Sequence, residues 1–225
     1  GFAALRALLS WALPSLWRAR RRAGAALAAV LVAIHVVLGT FLGFWDTAQM
    51  PQLAKIVRET SLGVALPDPA LQDRRVIFLS SAEPITPTYF SLVRRLHKRA
   101  VPRSTWLLCP NPVPYDLSRT GPATLEAWLP HGTFLGTSYD LIFRTSQAPV
   151  GVGHRFVVDG MAATVLELRG GHPSRMRFDF EAPLHDSRYV ILAPTPEGLR
   201  PYPLPPIGQT VRVPRPVVPV AVLRD

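Results

Sequence analysis

The chain has 225 residues, of which 48% are hydrophobic, one cysteine and a formal net charge of +10. The single cysteine, Cys109, excludes an intramolecular disulfide, a cysteine zinc cluster and a Cys-x-x-Cys redox pair. All acidic residues lie at or after Asp46, whereas Arg6 and the arginines of "RARRR" precede the first long apolar run. Part of the excess positive charge therefore reflects membrane topology. Because the sequence has no basic stripe with interleaved aromatic residues, we predict no nucleic-acid partner.

Residues 1–22 are apolar, contain Pro14 and end in a basic flank. This pattern fits an interfacial amphipathic helix, or the end of an earlier membrane segment truncated at the start of the chain. The first residue is Gly rather than Met, which agrees with a processed or truncated N-terminus.

The run from Ala23 to Trp45 contains no Asp, Glu, Lys or Arg. At about 1.5 Å rise per residue, a helix over this run covers about 35 Å, compared with about 30 Å for a hydrocarbon core. A secretory signal peptide is the competing interpretation. The run is longer than a signal peptide's usual apolar region, and the exit "GFWDTAQM" lacks a cleavage site. We predict a transmembrane helix over 23–45.

Orientation follows from the basic residues before that run, which are Arg18, Arg20, Arg21 and Arg22. The positive-inside bias places this flank in the cytoplasm and the C-terminal region outside, in the periplasm or the extracellular space. Trp17 and Trp45 would lie at the two membrane interfaces. The preference for Arg over Lys, with many Pro and Ala residues, is typical of a GC-rich bacterium, so we predict a bacterial inner-membrane location.

His35 lies in the middle of the apolar run, four residues before Gly39, and Gly43 completes a G-x-x-x-G pattern. Small residues at this spacing allow helices to approach closely, and a neutral imidazole can bond to a neighbouring helix. We predict helix packing by His35, Gly39 and Gly43 against other transmembrane helices or membrane-protein subunits. A proton or substrate relay through His35 and a passenger role are the alternatives.

Residues 46–75 predict a juxtamembrane helix followed by a proline-bearing linker. A strand, a helix and a strand are then predicted at 75–81, 86–99 and 104–110, and the crossover rule makes the two strands parallel. Tyr89, Phe90, Val93 and Leu96 recur near helical spacing. Cys109, in the apolar "TWLLCP", is predicted to be buried.

The stretch "LVRRLHKRAVPR" brings five basic residues together: Arg94, Arg95, Lys98, Arg99 and Arg103. We favour a solvated helix face for them. Contact with anionic lipid headgroups is the functional alternative, because basic residues near a membrane gain about 1 kcal/mol each.

From about Thr120 onward, short runs predicted to be strands, such as "ATLEAWLP", "GTFLG" and "SRYVILAP", are separated by turn sequences such as "PHG", "DG" and "GGHPS". Polar and apolar residues alternate in "RMRFDFEA", which predicts a half-buried antiparallel strand. The predicted fold class is therefore α+β: one transmembrane helix followed by a small α/β layer and an antiparallel β-rich barrel or sandwich. The extracytoplasmic domain would cover 76–214, and 215–225 would form a proline-rich tail.

Three segments carry a resemblance: "RTGPATLEAWLPHG", "LIFRTSQAPVGVGHRFVVDGMAATVLELRGGHPSRMRFDFEAPL" and "LPPIGQTVRVPRP". They resemble the C-terminal extracytoplasmic region of a family of uncharacterised polytopic bacterial membrane proteins, over roughly residues 70–214. The resemblance implies a location and a polytopic context, and no activity. This chain differs in showing one clear span.

Motifs for chemistry are sparse. The sequence contains no nucleophile elbow, P-loop, H-E-x-x-H or calcium loop, and "GVGHRF" lacks the structural context of a dinucleotide loop. The histidines of the β-rich region have no metal-ligand spacing and are predicted to be exposed: His131, His154, His172 and His185. Ser80 or Ser81 after a strand is a weak nucleophile candidate. We predict no catalytic residue, metal or cofactor.

Two functions remain open. The preferred one is a noncatalytic membrane-anchored extracytoplasmic domain for binding or assembly with other membrane components. The alternative is the C-terminal domain of a polytopic membrane enzyme or transporter whose active residues lie upstream.

Overall fold

The computed structural model of the protein describes residues 30, 32, 34, 39–136 and 150–218. Two helices with bounds in these residues are α1 (Gly39–Leu62) and α2 (Ile85–Leu96), and a 3₁₀ turn lies at Asp68–Ala70. The strands are β1 (Arg75–Ser80), β2 (Ser104–Cys109), β3 (Tyr115–Gly121), β4 (Thr124–Trp128), β5 (Arg155–Val158), β6 (Met161–Arg169), β7 (His172–Phe180), β8 (Tyr189–Thr195), β9 (Gly198–Pro201) and β10 (Thr210–Val213).

The predicted fold class is wrong. The described residues form mainly two β-sheets with two helices, and none of their helices combines the length and apolar character needed to cross a bilayer. Helix α1 begins inside the predicted span and continues to Leu62, so it includes Asp46, Lys55, Arg58 and Glu59. Most of the predicted span before Gly39, and all of residues 1–22, lie outside the described residues.

The first sheet, sheet A, has the strand order β2, β1, β8, β9. Strand β1 is parallel to β2 and to β8, while β9 is antiparallel to β8. The predicted strand, helix and strand with parallel pairing are confirmed as β1, α2 and β2. Every residue of β1 is buried. Helix α2 covers one face of the sheet, where the ring centroids of Phe78 and Phe90 lie 5.1 Å apart in an edge-to-face contact.

The second sheet, sheet B, is antiparallel throughout, with the strand order β10, β3, β4, β7, β6, β5. The alternation in "RMRFDFEA" is confirmed: Met176, Phe178 and Phe180 of β7 are buried, whereas Arg175 is exposed and Arg177 is half-buried. One face of sheet B is therefore apolar and the opposite face is polar.

A common core lies between the two sheets. It includes Ile77 and Leu79 from sheet A, and Leu117, Leu125 and Phe178 from sheet B. The phenol of Tyr115 donates a hydrogen bond to the Leu79 carbonyl at 2.8 Å, which connects the sheets through a buried polar contact.

Arg75, at the start of β1, forms a second connection between the sheets. Its guanidinium forms ion pairs with Glu181 and, at 3.4 Å, with Asp159. It also lies 5.8 Å from the ring centroid of Trp106. Gly160 has φ of 79°, and a Cβ there would lie 2.8 Å from the Arg75 guanidinium carbon. Glycine is therefore favoured at this turn by its positive φ, and a larger residue would also displace the Arg75 guanidinium.

Several strand predictions need correction. Strand β3 was not predicted, although it forms the hairpin with β4, and the expected strand in "GTFLG" is absent from the described residues 132–136. The β-rich segment "SRYVILAP" supplies β8, which joins β1 in sheet A instead of the antiparallel sheet. His172 begins β7, so only Gly170 and Gly171 of "GGHPS" form the turn.

The predicted burial of Cys109 is confirmed. The side chain is fully buried at the end of β2, and its thiol donates a hydrogen bond to the Asn111 carbonyl at 3.3 Å. Burial raises the pKa of the thiol to about 12, so the reactive thiolate is disfavoured.

Candidate functional site

An open groove of about 500 Å³ lies beside the N-terminal half of β8. It is formed by five segments: the linker before β1, the end of β3, the loop before β8, the start of β8 and the chain after β9. Representative side chains from these segments are Leu66, Arg74, Arg119, Leu184, Tyr189, Tyr202 and Leu204. We call this the β8 groove.

The groove exists because β9 is short. Strand β9 pairs with Leu192–Thr195 of β8 and ends at Pro201, so Tyr189–Ile191 have no paired strand on that side. The Tyr202 amide donates to the Ile191 carbonyl at 2.9 Å, and Pro203 then supplies no further donor. The chain leaves the sheet there, and the uncovered edge of β8 becomes the floor of the groove.

Two arginines of the groove are held through their backbones. The Arg119 amide donates to the Gln209 carbonyl at 3.1 Å, and its carbonyl accepts from the Gly208 amide at 2.7 Å. The Arg74 carbonyl accepts from the Arg103 amide at 2.8 Å, directly before β1. These hydrogen bonds fix the backbone at Arg74 and Arg119, from which the two guanidinium groups extend.

Neither Arg74 nor Arg119 forms an ion pair with any described residue, whereas most described arginines do. Arg119 Nε is shielded from solvent and has no hydrogen-bond partner. Its Nη2 reaches only the Pro122 carbonyl, at 3.5 Å. A buried donor without a partner is costly, and an anionic ligand would satisfy it.

The rest of the groove is apolar and aromatic. Leu184 and Tyr189 are buried, and the half-buried Tyr202 lines the groove with an aromatic ring. Burial raises the pKa of both phenols, so they remain neutral hydrogen-bonding groups at ordinary pH. The arrangement can bind a ligand that carries an anionic group next to an apolar segment.

The predicted basic cluster separates into different environments. Arg95, Lys98, Arg99 and Arg103 are exposed, whereas Arg94 is only 1% exposed, so a fully solvated face is the wrong description of the cluster. The Arg94 guanidinium donates to the carbonyls of Ala100 at 2.7 Å and Ser61 at 3.0 Å, and it forms an ion pair with Asp68.

Asp68 accepts from two arginines, because Arg99 Nη1 lies 3.1 Å from its second carboxylate oxygen. Burial acts to raise the pKa of the Asp68 carboxyl, but hydrogen bonds from Arg99 and Arg94 outweigh it and lower the pKa below its usual value. This network connects α1, the 3₁₀ turn and α2, and it has a structural role.

The predicted packing and interface residues are only partly within the described residues. Gly39, Gly43 and Trp45 lie in the N-terminal part of α1. His35 lies outside the described residues, as do Trp17, Arg18, Arg20, Arg21 and Arg22. Helix packing and interface anchoring by these residues therefore stay predictions.

The weak nucleophile candidate is not assembled into a catalytic arrangement among the described residues. Ser81 Oγ donates to the Glu83 carbonyl, and no hydrogen bond connects it to a histidine. The Glu83 carboxylate instead accepts from the amides of Ile85 at 2.7 Å and Thr86 at 2.9 Å, at the start of α2. Within the described ranges, no group of three or more His, Cys, Asp or Glu residues is placed to hold a metal.

The predicted exposure of the histidines holds for His131, His154 and His185, whereas His172 is half-buried. His185 lies at the β8 groove. It was not predicted to take part in a site.

Comparison of the chain with family models, curated proteins and solved structures finds no match.

The groove arginines and Tyr202 were not predicted from the sequence. Arg74 and Arg119 carry no local motif, and the groove combines segments that are far apart in the chain. One signal was present: "PYPLPP" places Tyr202 between prolines, which predicts a chain that leaves its strand with an aromatic side chain at the exit.

Proposed function

We propose that this chain is a noncatalytic binding domain, and that its β8 groove receives a partner segment carrying an anionic group beside an apolar side chain. The single observation that carries the proposal is the pair of arginines, Arg74 and Arg119, that line the groove without ion-pair partners among the described residues. The proposal keeps the sequence prediction that the domain acts outside a bacterial inner membrane, in assembly with other membrane components.

The chemistry of the groove supports this ligand class. A carboxylate held by a guanidinium gains charge-assisted hydrogen bonds, and the apolar wall at Leu184 and Leu204 would shield them from water. The groove has a volume typical of ligand pockets, which is roughly 300 to 1,000 Å³. The chain end of a partner protein supplies both features in one segment.

The test uses the full chain in nanodiscs and N-acetyl dipeptides that end in Leu, Phe or Tyr. Each dipeptide is compared as its free carboxylate and as its amide by titration calorimetry. We expect the carboxylate forms to bind about tenfold more tightly, because hydrogen bonds to charged groups contribute roughly 1.5 to 3 kcal/mol. Equal binding of the two forms, or no binding of either, would overturn the proposal.

Substitutions then locate the binding. Arg119→Gln and Arg74→Gln should each remove the preference for the carboxylate. Arg155→Gln is the matched control, because Arg155 is exposed and also lacks an ion pair within the described residues but lies on β5. A preference lost equally in all three variants would place the carboxylate elsewhere.

A separate experiment tests the assembly part of the proposal. His35→Leu should weaken complex assembly in membranes while the domain stays folded. Intact assembly with loss of transport or turnover would instead favour a polytopic enzyme or transporter.

A further inference from the structure

Helix α2 presents apolar side chains to solvent as well as to the core. Tyr89, Leu92 and Leu96 are 49%, 48% and 72% exposed. Their spacing of three and four residues places them on one face of the helix, while Phe90 and Arg94 are buried. Of the four residues that recur near helical spacing, Tyr89 and Leu96 therefore lie on the exposed side of the helix and Phe90 on the buried side.

The same face ends in two cations, Arg95 and Lys98. Both are exposed, and neither forms an ion pair with a described residue. The adjacent Arg99 forms an ion pair with Asp68 at 3.1 Å. Residues 85–103 contain no acidic side chain, so this surface is apolar and positively charged. We name Tyr89, Leu92, Arg95, Leu96 and Lys98 the outer α2 face.

Lys98 occupies a backbone conformation that favours glycine. Its φ is 54°, and it follows the helix end in a Schellman motif: the Lys98 amide donates to the Arg95 carbonyl at 3.1 Å, and the Arg99 amide donates to the Arg94 carbonyl at 2.9 Å. A lysine in this position is less favourable than glycine, because its Cβ lies close to the following carbonyl oxygen. The chain therefore holds a positive charge at a strained site, which points to a role for that charge.

We propose that the outer α2 face docks on the surface of an anionic lipid bilayer. The apolar side chains would enter the interface between headgroups and acyl chains, and the two cations would contact the anionic headgroups. A carboxylate-rich surface would satisfy the cations and leave the leucines in water, so charge complementarity and apolar character together select a lipid surface. This inference goes beyond the proposed function, because docking requires no ligand in the β8 groove.

The experiment places a fluorescent label on this face in the full chain. Leu96→Cys supplies a reactive thiol, since Cys109 is buried and its pKa is raised to about 12. The protein is reconstituted into nanodiscs of phosphatidylcholine, with or without phosphatidylglycerol, and quenching by brominated acyl chains is measured. We expect quenching that is strong with phosphatidylglycerol and weak without it. Val152→Cys is the matched control, because Val152 is 64% exposed and should stay unquenched.

Charge variants in the Leu96→Cys background complete the test. Arg95→Gln and Lys98→Gly should each lower the docking equilibrium about fivefold, which corresponds to about 1 kcal/mol per basic residue. Lys98→Gly should also stabilise the helix end, so reduced docking in this variant is not a folding defect.

Three results would overturn the proposal. One is equal quenching with and without phosphatidylglycerol. Another is a label that stays in water in both lipids. The third is a label that is already shielded from water in detergent, to a degree that increases with protein concentration. This result would show that a second copy of the chain covers the outer α2 face. If the charge variants lose docking but still bind the dipeptides, lipid docking by the outer α2 face is independent of ligand binding in the β8 groove.

Discussion

The outer face of sheet B and the outer α2 face both expose arginine, but in opposite electrostatic arrangements. On β10 and β7 of sheet B the outward arginines form ion pairs across and along strands: Arg212 with Asp116 at 2.7 Å, Arg175 with Glu126 at 2.6 Å and Arg177 with Asp179 at 3.1 Å. On the outer α2 face, Arg95 and Lys98 have no such partner among the described residues. A surface that meets only water can neutralise its own charges, whereas unpaired cations beside exposed leucines indicate a partner.

The largest expected effect contrasts two adjacent arginines of α2. Arg94→Met should lower the free energy of unfolding by about 3 kcal/mol or more, because two carbonyls and Asp68 lose a buried donor. Arg95→Met should change it by less than about 0.5 kcal/mol, since that side chain is exposed. Urea unfolding of both variants checks the contrast. Equal effects would contradict the structural role of Arg94.

Acid should weaken the same network. The folded pKa of Asp68 is lowered, so its contribution to stability is complete above the unfolded pKa, about 3.9. This contribution is lost as the pH falls through that value and the lower folded pKa. Thermal unfolding from pH 7 to pH 3 should show the decrease, and Asp68→Asn should make the decrease shallower.

Glu83 acts in the opposite direction and sets the control for the acid measurement. Burial raises the folded pKa of Glu83 despite the amides of Thr86 and Ile85 that it accepts from. Protonation of Glu83 therefore favours the folded state as the pH falls through its raised pKa. Glu83→Gln should remove this compensation and make the acid decrease steeper. An unchanged pH profile would show that Glu83 has an ordinary pKa.

Lys98→Gly should increase stability by about 1 kcal/mol, because glycine adopts the left-handed conformation without the steric cost of a Cβ. Lys98→Ala is the control for the lost charge, since alanine keeps the cost. A Tm that rises for both variants would assign the effect to charge rather than to conformation.

The smallest expected effect lies on sheet B. Arg212→Ala should lower the free energy of unfolding by less than about 1 kcal/mol, because the side chain is partly exposed and surface ion pairs contribute little. A double-mutant cycle with Asp116→Ala measures the pair directly. A coupling much larger than 1 kcal/mol would show that this face is more than a solvated surface.

The elements that sequence predicted correctly are those with local signals. Strand β1, helix α2 and strand β2 each carry their own apolar pattern, and the parallel pairing follows from a general rule of chain crossover. The alternation of buried and less buried residues along strand β3 can be read in the sequence. The strand was nevertheless missed, because only two of its side chains, Tyr115 and Leu117, are both large and buried.

The errors come from contacts between distant segments. Strand β8 pairs with β1 from more than a hundred residues away, and no pattern in "SRYVILAP" distinguishes that partner from an antiparallel neighbour. Arg94 appeared solvated because it belongs to a basic run, whereas its partners Ser61 and Asp68 lie in other elements. The β8 groove could likewise not be predicted from the sequence, because Arg74 and Arg119 come to line one groove only in the folded chain.

The end of the predicted transmembrane helix at Trp45 was wrong for a different reason. Apolar length defined 23–45 as one unit, but helix α1 passes the predicted end at Trp45 and continues through charged residues. A helix does not end where hydropathy changes if the next residues can also be helical, as those of "TAQMPQLAKIVRET" are here.

The buried thiol of Cys109 can report how often the core of the protein opens. The chain has one cysteine, and an alkylating reagent in solution can reach that sulfur only when the end of β2 opens. The rate of alkylation under native conditions therefore counts opening events of the core in the way that amide hydrogen exchange does, but at one chemically defined atom.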